Sequence, residues 1–150
     1  MNDIDSCLIF AKVQLTYLHY AEFTSWSVKM NEDQIDERYN EYPALEACQD
    51  WGYKAAFANE DDNELFALLC EFLQPRKTHS FLLWLHMFYS TLGKVETPRS
   101  ATTLHFAAQY GLSRVCEWLL SKGADPNSSD KILATPLICV IAYRGETPQL

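Results

Sequence analysis

Residues 102–127 read TTLHFAAQYGLSRVCEWLLSKGADPN, and this stretch carries the most specific structural signal in the chain. Thr102 can cap a first helix, and His105, three residues on, can hydrogen-bond back toward the threonine hydroxyl. Gly111 allows a tight turn into a second helix, and Gly123 supplies a left-handed cap that ends it. The residues of this second helix that we expect to face the core are Val115, Leu119 and Leu120.

The stretch begins again 33 residues later, where Thr135-Pro136-Leu137 matches Thr102-Thr103-Leu104. The first unit resembles an ankyrin repeat over its full length. The second departs from that pattern, since Ile138 replaces a histidine and Arg144 a glycine. We therefore expect one full repeat at about 100–132 and a partial repeat at about 133–150.

Helical spacing dominates the N-terminal half. The first helix is expected over Ile4–Phe23, followed by a break at residues 24–27. One of its stripes has apolar residues stepping by four and three, namely Ile4, Leu8, Ala11, Leu15 and Leu18. A second set covers much of the remaining surface, namely Ile9, Phe10, Val13, Tyr17 and Tyr20. We therefore expect this helix to be buried on more than one side.

Start and stop signals predict four further helices. A capping box, Asn31 to Gln34, opens a charged helix that runs to about Tyr39. Pro43 suits the first turn of a third helix, in which Gly52 is a weakening residue. Its expected core stripe is Ala44, Cys48, Trp51 and Ala55.

The fourth helix is expected to start at Asp61 or Asp62 and the fifth at Thr78 or Ser80. Pro75 would end the fourth helix and Gly93 the fifth. The expected inward residues are Leu65, Leu68, Leu69 and Phe72, then Phe81, Leu85, Phe88 and Leu92. The predicted fold class is all-α, an irregular N-terminal helical bundle packed on the start of an α-solenoid.

Charge divides the chain into two regions. Its formal net charge is −8, which argues against a nucleic-acid binder. Residues 1–97 carry 16 acidic and 7 basic side chains, whereas residues 98–150 carry 4 and 5. We therefore expect a helical linker or capping region at 1–97 and an ankyrin region at 98–150. The acidic block at residues 60–62 is interpreted as solvated charge rather than a metal site.

The cysteines and the hydropathy pattern predict an intracellular, cytoplasmic location and leave the nucleus open. Five cysteines lie scattered among apolar neighbours without a C-x-x-C pair, as in proteins with reduced, buried thiols. The N-terminus lacks the basic lead-in of a signal peptide, and no apolar run approaches the ~18 residues of a membrane span. No membrane partner is expected.

The N-terminal half also resembles a known linker. The motifs are LTYL at 15–18, Glu22-Phe23, NEYPAL at 40–45 and WGY at 51–53. They are similar to the segment between the NACHT nucleotide-binding module and the ankyrin array of fungal NLR-like, vegetative-incompatibility proteins. The chain departs from that pattern at 44–48 and at Lys54.

This resemblance implies a helical linker leading into an array that senses a ligand or partner. In that family the upstream module binds a nucleoside triphosphate. No G-x-x-x-x-G-K-[ST] loop occurs in this chain, so the ATPase function is not carried over.

Catalytic and metal motifs find little support. His79 and His86 lack zinc-spaced partners, and H-E-x-x-H is absent. Cys48 or Cys70 paired with His79 is the enzyme alternative, but burial in the core is the favoured interpretation for both thiols. We therefore expect a protein that is not an enzyme, with no catalytic residues, cofactor or metal. Trp51, Trp84 and Trp118 are expected in the core, and Trp26 is expected to dock on the helices or to contact a partner.

Binding of a protein partner is the leading functional hypothesis. Ankyrin arrays recognise partners through turn tips and first-helix side chains. The matching positions are Gln109, Tyr110, Ser128, Ser129, Asp130, Lys131 and Ile132. The alternative is a truncated structural fragment without independent activity. Self-association through the exposed end of the partial repeat is a further expectation.

Overall fold

The computed structural model describes residues 3–20, 23, 31–58, 61–91 and 101–128, and within these ranges every regular element is a helix. In chain order they are α1 Asp3–Leu18, α2 Glu32–Tyr39, α3 Pro43–Ala47, α4 Trp51–Phe57, α5 Asn63–Phe72, α6 His79–Thr91, α7 Thr103–Gln109 and α8 Ser113–Ser121. The predicted all-α class is confirmed. Trp26, the boundary at Thr97-Pro98 and the partial repeat lie outside the described residues.

Side-chain caps start α2, α5 and α6 where the sequence placed them. Asn31 accepts from the Gln34 amide while the Gln34 side chain accepts from Asn31 N–H, which completes the predicted capping box. Asp62, rather than Asp61, caps α5 through the Leu65 amide at 2.9 Å. Thr78, rather than Ser80, caps α6, and its hydroxyl oxygen accepts a hydrogen bond from the Phe81 amide at 3.1 Å.

The predicted third helix is in fact two helices, and a side chain of α1 binds the segment that joins them. Gln14 on α1 donates through Nε2 to the Ala47 carbonyl at 2.7 Å and to Asp50 Oδ1 at 2.6 Å. In a continuous helix that carbonyl would accept from the amide of Trp51. The break also changes the inward stripe, since Leu45 is buried and Ala44 is exposed.

An aromatic cluster forms the centre of the core. Trp51 on α4 lies edge-on to Phe72 at 5.1 Å and to Trp84 at 5.3 Å between ring centroids. All three are fully buried, which confirms the core position predicted for Trp51 and Trp84. Such edge-to-face pairs contribute about 0.5–1.5 kcal/mol each beyond the area they bury.

The prediction for α1 is half right. Its side formed by Ala11, Leu15 and Leu18 is buried against α4 and α5, as expected. The opposite side is exposed in solvent, so the prediction that α1 is buried on more than one side is wrong for its outer residues. Those residues are Ile9, Phe10, Val13 and Tyr20.

The helices of the repeat, α7 and α8, pack on the N-terminal helices through Tyr110. Its ring lies against Trp51 at 5.4 Å and Tyr53 at 5.6 Å between centroids. The ring also lies on the backbone of Gly52, where an added Cβ would overlap its Cε2 and Cζ atoms. Gly52 is therefore required by close packing, although the same residue lowers the helix propensity of α4.

Further contacts extend this interface along α7 and α8. Phe106 lies edge-on to Phe81 and Trp84, at 5.7 and 5.3 Å between centroids. Thr103 Oγ1 donates to the Gln74 carbonyl at 2.9 Å. The Arg114 guanidinium lies 3.8 Å from the ring centre of Phe66, a cation–π contact. Both regions thus share one hydrophobic core.

We predict that Gly52→Ala destabilises the chain by roughly 1–2 kcal/mol, because overpacking against Tyr110 outweighs the gain of about 1 kcal/mol in helix propensity. In a Tyr110→Leu background the same change should instead stabilise, since the overlapping ring atoms are gone. Urea unfolding of the four proteins of this cycle measures both effects.

The control for this prediction is Ala56→Gly, at an exposed position of the same helix. It should destabilise by about 1 kcal/mol in either background, because it reports helix propensity alone. A Gly52→Ala effect that is the same with tyrosine and with leucine at position 110 would contradict the packing account.

Candidate protein-interaction surface

A capping box holds the first helix of the repeat in place. Thr102 N–H donates to His105 Nδ1 at 3.0 Å, and the threonine hydroxyl lies 2.8 Å from the same nitrogen. The amide of His105 donates in turn to Thr102 Oγ1 at 3.4 Å. His105 is buried and acts as a structural hydrogen-bonding residue, as predicted.

Two glycines shape the turns of the repeat. Gly111 has φ of 70° between α7 and α8, and Gly123 has φ of 93° after α8. Both conformations lie in the left-handed region that glycine adopts without a steric penalty. The predicted roles of both residues are confirmed.

The second helix of the repeat differs from prediction at one position. Val115 and Leu119 are buried, as expected, because they lie four residues apart on one side of α8. Leu120 lies about 100° further round the helix and is 45% exposed. Its predicted core position is therefore wrong.

The predicted partner-binding residues are not all at the surface. Gln109 ends α7 and is half-buried, and Ser128 is half-buried in the turn after α8. Tyr110 is only 2% exposed, because its ring packs on Trp51, Gly52 and Tyr53, so it is not available to a partner. The remaining positions, Ser129, Asp130, Lys131 and Ile132, lie outside the described residues.

Asp125 holds the turn at residues 125–128 by accepting two hydrogen bonds, one with its side chain and one with its backbone carbonyl. Asp125 Oδ1 accepts from the Asn127 amide at 2.9 Å, and the Asp125 carbonyl accepts from the Ser128 amide at 3.3 Å. Such aspartate-stabilised turns fix backbone direction without neighbouring strands. Residues 125–128 after α8 therefore have a defined conformation.

A groove beside the repeat was missed by the sequence analysis. It is an open cavity of about 410 Å³ between the end of α5 and the end of α8. Its lining residues are Cys70, Glu71, Gln74, Pro75, Trp118 and Lys122. Trp118, which is half-buried, is the residue in the sequence that marks this groove. The lining residues on and after α5 lie more than forty residues earlier in the chain, so the sequence does not show that they meet Trp118.

The chemistry of the candidate nucleophiles is unfavourable for catalysis. Burial raises the pKa of the Cys48 thiol to about 11, and the nearby Asp50 charge acts in the same direction. Burial also raises the pKa of Cys70 to about 11, against the opposing charge of Arg114. A nucleophilic cysteine needs a lowered pKa, because the thiolate is the reactive form.

Within the described ranges, no group of three or more His, Cys, Asp and Glu side chains is arranged to hold a metal ion. His86 instead pairs with Asp36 at 2.9 Å. None of α1 to α8 combines the length and apolar character that crossing a bilayer requires.

Alkylation kinetics test the thiol chemistry. A pKa of about 11 leaves Cys70 mostly protonated at pH 8, so we predict that iodoacetamide modifies it about 100-fold more slowly than a free thiol of pKa near 9. The rate should rise steeply up to about pH 11. Peptide mass spectrometry of the native chain measures it, with N-acetylcysteine as control. Alkylation at pH 7 faster than that of N-acetylcysteine would revive the Cys–His hypothesis.

Comparison with known proteins agrees with the geometry of α7 and α8. Residues 101–131 match the family model of the ankyrin repeat. No curated protein matches the chain, and no solved structure does. The match covers the capping box, both glycines and the buried stripe of α8. The chain therefore carries an ankyrin repeat, packed on the helices that precede it.

Proposed function

We propose that the chain is a non-enzymatic protein–protein interaction module in which the N-terminal helices hold an ankyrin repeat. The observation that carries this proposal is the family match at 101–131 on helices whose core continues into α4, α5 and α6. Ankyrin repeats bind through surfaces fixed on a rigid stack. On the side of the N-terminal helices, the packing of Tyr110 and Phe106 takes the place of a neighbouring repeat.

The recognition surface we propose consists of Gln109 and the turn from Ser128 to Ile132. Gln109 ends α7, and the hydrogen bonds of Asp125 hold residues 125–128, which lead into this turn. A surface held in one conformation loses little entropy on binding. The surface that one repeat offers is smaller than the ~800 Å² per partner of a standard interface. We therefore propose that the groove at Trp118 and Lys122 extends the recognition surface.

We further propose that α1 to α6 correspond to the linker of a fungal NLR-like receptor and that the protein is cytoplasmic. Support comes from residues 40–53, which hold two of the linker motifs. They form α3 and the start of α4, and they supply Trp51 and Gly52 to the interface with the repeat. A linker preceding an ankyrin array needs such a surface for the first repeat.

The second candidate is a structural fragment without independent activity, and self-association through the end of the partial repeat is a separate proposal. The observation that favours the fragment is the shared core, in which the N-terminal helices cover one side of the repeat. Under this hypothesis the helices serve only to cap the repeat, and no separate partner exists.

Site-specific crosslinking tests the first candidate. A photoreactive amino acid at Gln109 or Ser128 should crosslink one partner in cell extract, and the same group at exposed Glu117 on α8 should not. With that partner purified, we predict that Gln109→Arg or Lys131→Glu weakens binding about tenfold, since central contacts contribute more than about 1 kcal/mol. Calorimetric titration measures the change.

The matched control is Glu117→Arg, which should leave the affinity within about twofold. Binding that is insensitive to changes at 109 and 131 would contradict the proposed surface. Adducts only between copies of the chain would favour the structural alternative.

A further inference from the structure

Helix α1 carries two apolar stripes, and the described fold uses one of them. The buried stripe, Ala11, Leu15 and Leu18, faces α4 and α5. A second line of outward residues runs through Ile9, Val13 and Thr16, spaced by four and three residues, and Tyr20 follows two residues after the helix ends. Spacing of this kind keeps a line of side chains on one face of a helix, as in packed helix pairs.

The second stripe is exposed to solvent in the described fold. Ile9 is 49% exposed, Val13 60% and Tyr20 59%. Phe10, at the edge of the stripe, is 56% exposed, although Lys54 on α4 lies 5.8 Å from its ring centre. The solvent-facing side of a helix typically carries charged and polar residues, whereas this side of α1 carries large apolar ones.

The stripe continues onto α4 through a groove. A cavity of about 360 Å³ lies between the two helices and includes Phe10, Tyr53 and Phe57 in its lining. Tyr53 is 43% and Phe57 39% exposed. We call the combined surface the α1 outer patch, defined by Ile9, Phe10, Val13, Tyr20, Tyr53 and Phe57.

The α1 outer patch is comparable in apolar area to one side of a stable dimer interface. Scaled by their exposed fractions, its six side chains leave roughly 300–600 Å² of apolar surface in water. One side of a standard interface buries about 800 Å², of which roughly 450–520 Å² is apolar. The patch can therefore supply most of the apolar area of one interface side.

We propose that the α1 outer patch pairs with the same patch of a second copy of this chain, with the two α1 helices antiparallel about a two-fold axis. A continuous apolar stripe is self-complementary, and two-fold dimers are the commonest protein assembly. Val13 lies within one turn of the centre of the stripe, so it lies near the axis. This interface is separate from the repeat surface and does not depend on the proposed function.

Charge argues against a membrane as the occupant and makes the dimer salt-dependent. Lys12, on the same helix, is held by Asp62 at 3.2 Å and Glu64 at 3.0 Å, so it is not available to anionic lipid. The chain has a net charge of −8, and two copies therefore repel at long range. Salt screens this repulsion while the apolar contact persists, so the dimer should tighten as salt rises.

Sedimentation velocity of the 150-residue chain, from about 1 to about 200 µM, tests this proposal. We expect a monomer–dimer equilibrium that is several-fold tighter at about 0.5 M than at about 0.05 M NaCl. Val13→Glu should weaken dimerisation at least about tenfold, because it buries a charge in the interface. A monomer at every concentration and salt level overturns the proposal.

Two controls separate this interface from a folding defect and from the end of the repeat. Leu120→Glu makes the same kind of change at an exposed position of α8 and should leave the dimer intact. A mixture of Val13→Glu and Val13→Lys chains should associate again, because opposite charges then meet near the axis. Dissociation by Leu120→Glu, or failure of the mixture to associate, overturns the pairing through α1.

Discussion

The ring of Tyr110 packs on the backbone of Gly52, and the docking of the repeat on the N-terminal helices depends on this contact. Tyr110 follows the first helix of the repeat, and Gly52 lies in the first turn of α4, so one contact joins the two regions. The approach is possible only because residue 52 has no Cβ. Trp51 and Tyr53 flank the glycine and enclose the ring.

This contact explains how one apolar side of the repeat is kept out of water. Repeats normally bury those faces by stacking on their neighbours. Here Phe106 enters the cluster of Phe81 and Trp84, and Arg114 covers Phe66. The N-terminal helices thus take the place of a preceding repeat. Their own outer side, on α1, remains apolar and exposed, which motivates the dimer proposed above.

Features that depend on nearby residues could be predicted from the sequence. Both capping boxes, Asn31–Gln34 and Thr102–His105, connect side chains to backbone amides three residues away. The two left-handed turns at Gly111 and Gly123 follow from the one residue type that favours them. For the same reason the repeat itself was identifiable, since its pattern of caps, glycines and buried residues lies within about thirty residues.

Features that depend on distant contacts could not be predicted. At the break between α3 and α4, Gln14 binds a carbonyl that lies 33 residues away in the chain. Tyr110 occupies a position that faces partners in the ankyrin pattern, but its burial depends on residues 51–53. The outer side of α1 was expected in the core because periodicity shows that a stripe exists, not whether another helix covers it.

Native-state hydrogen exchange is the most direct test of the claim that the helices and the repeat form one cooperative unit. Amides of α4 and α7 should converge on the same free energy of opening as urea is raised, because the shared core opens only as a whole. Opening of α7 at a lower free energy than α4, with no convergence, would contradict the account.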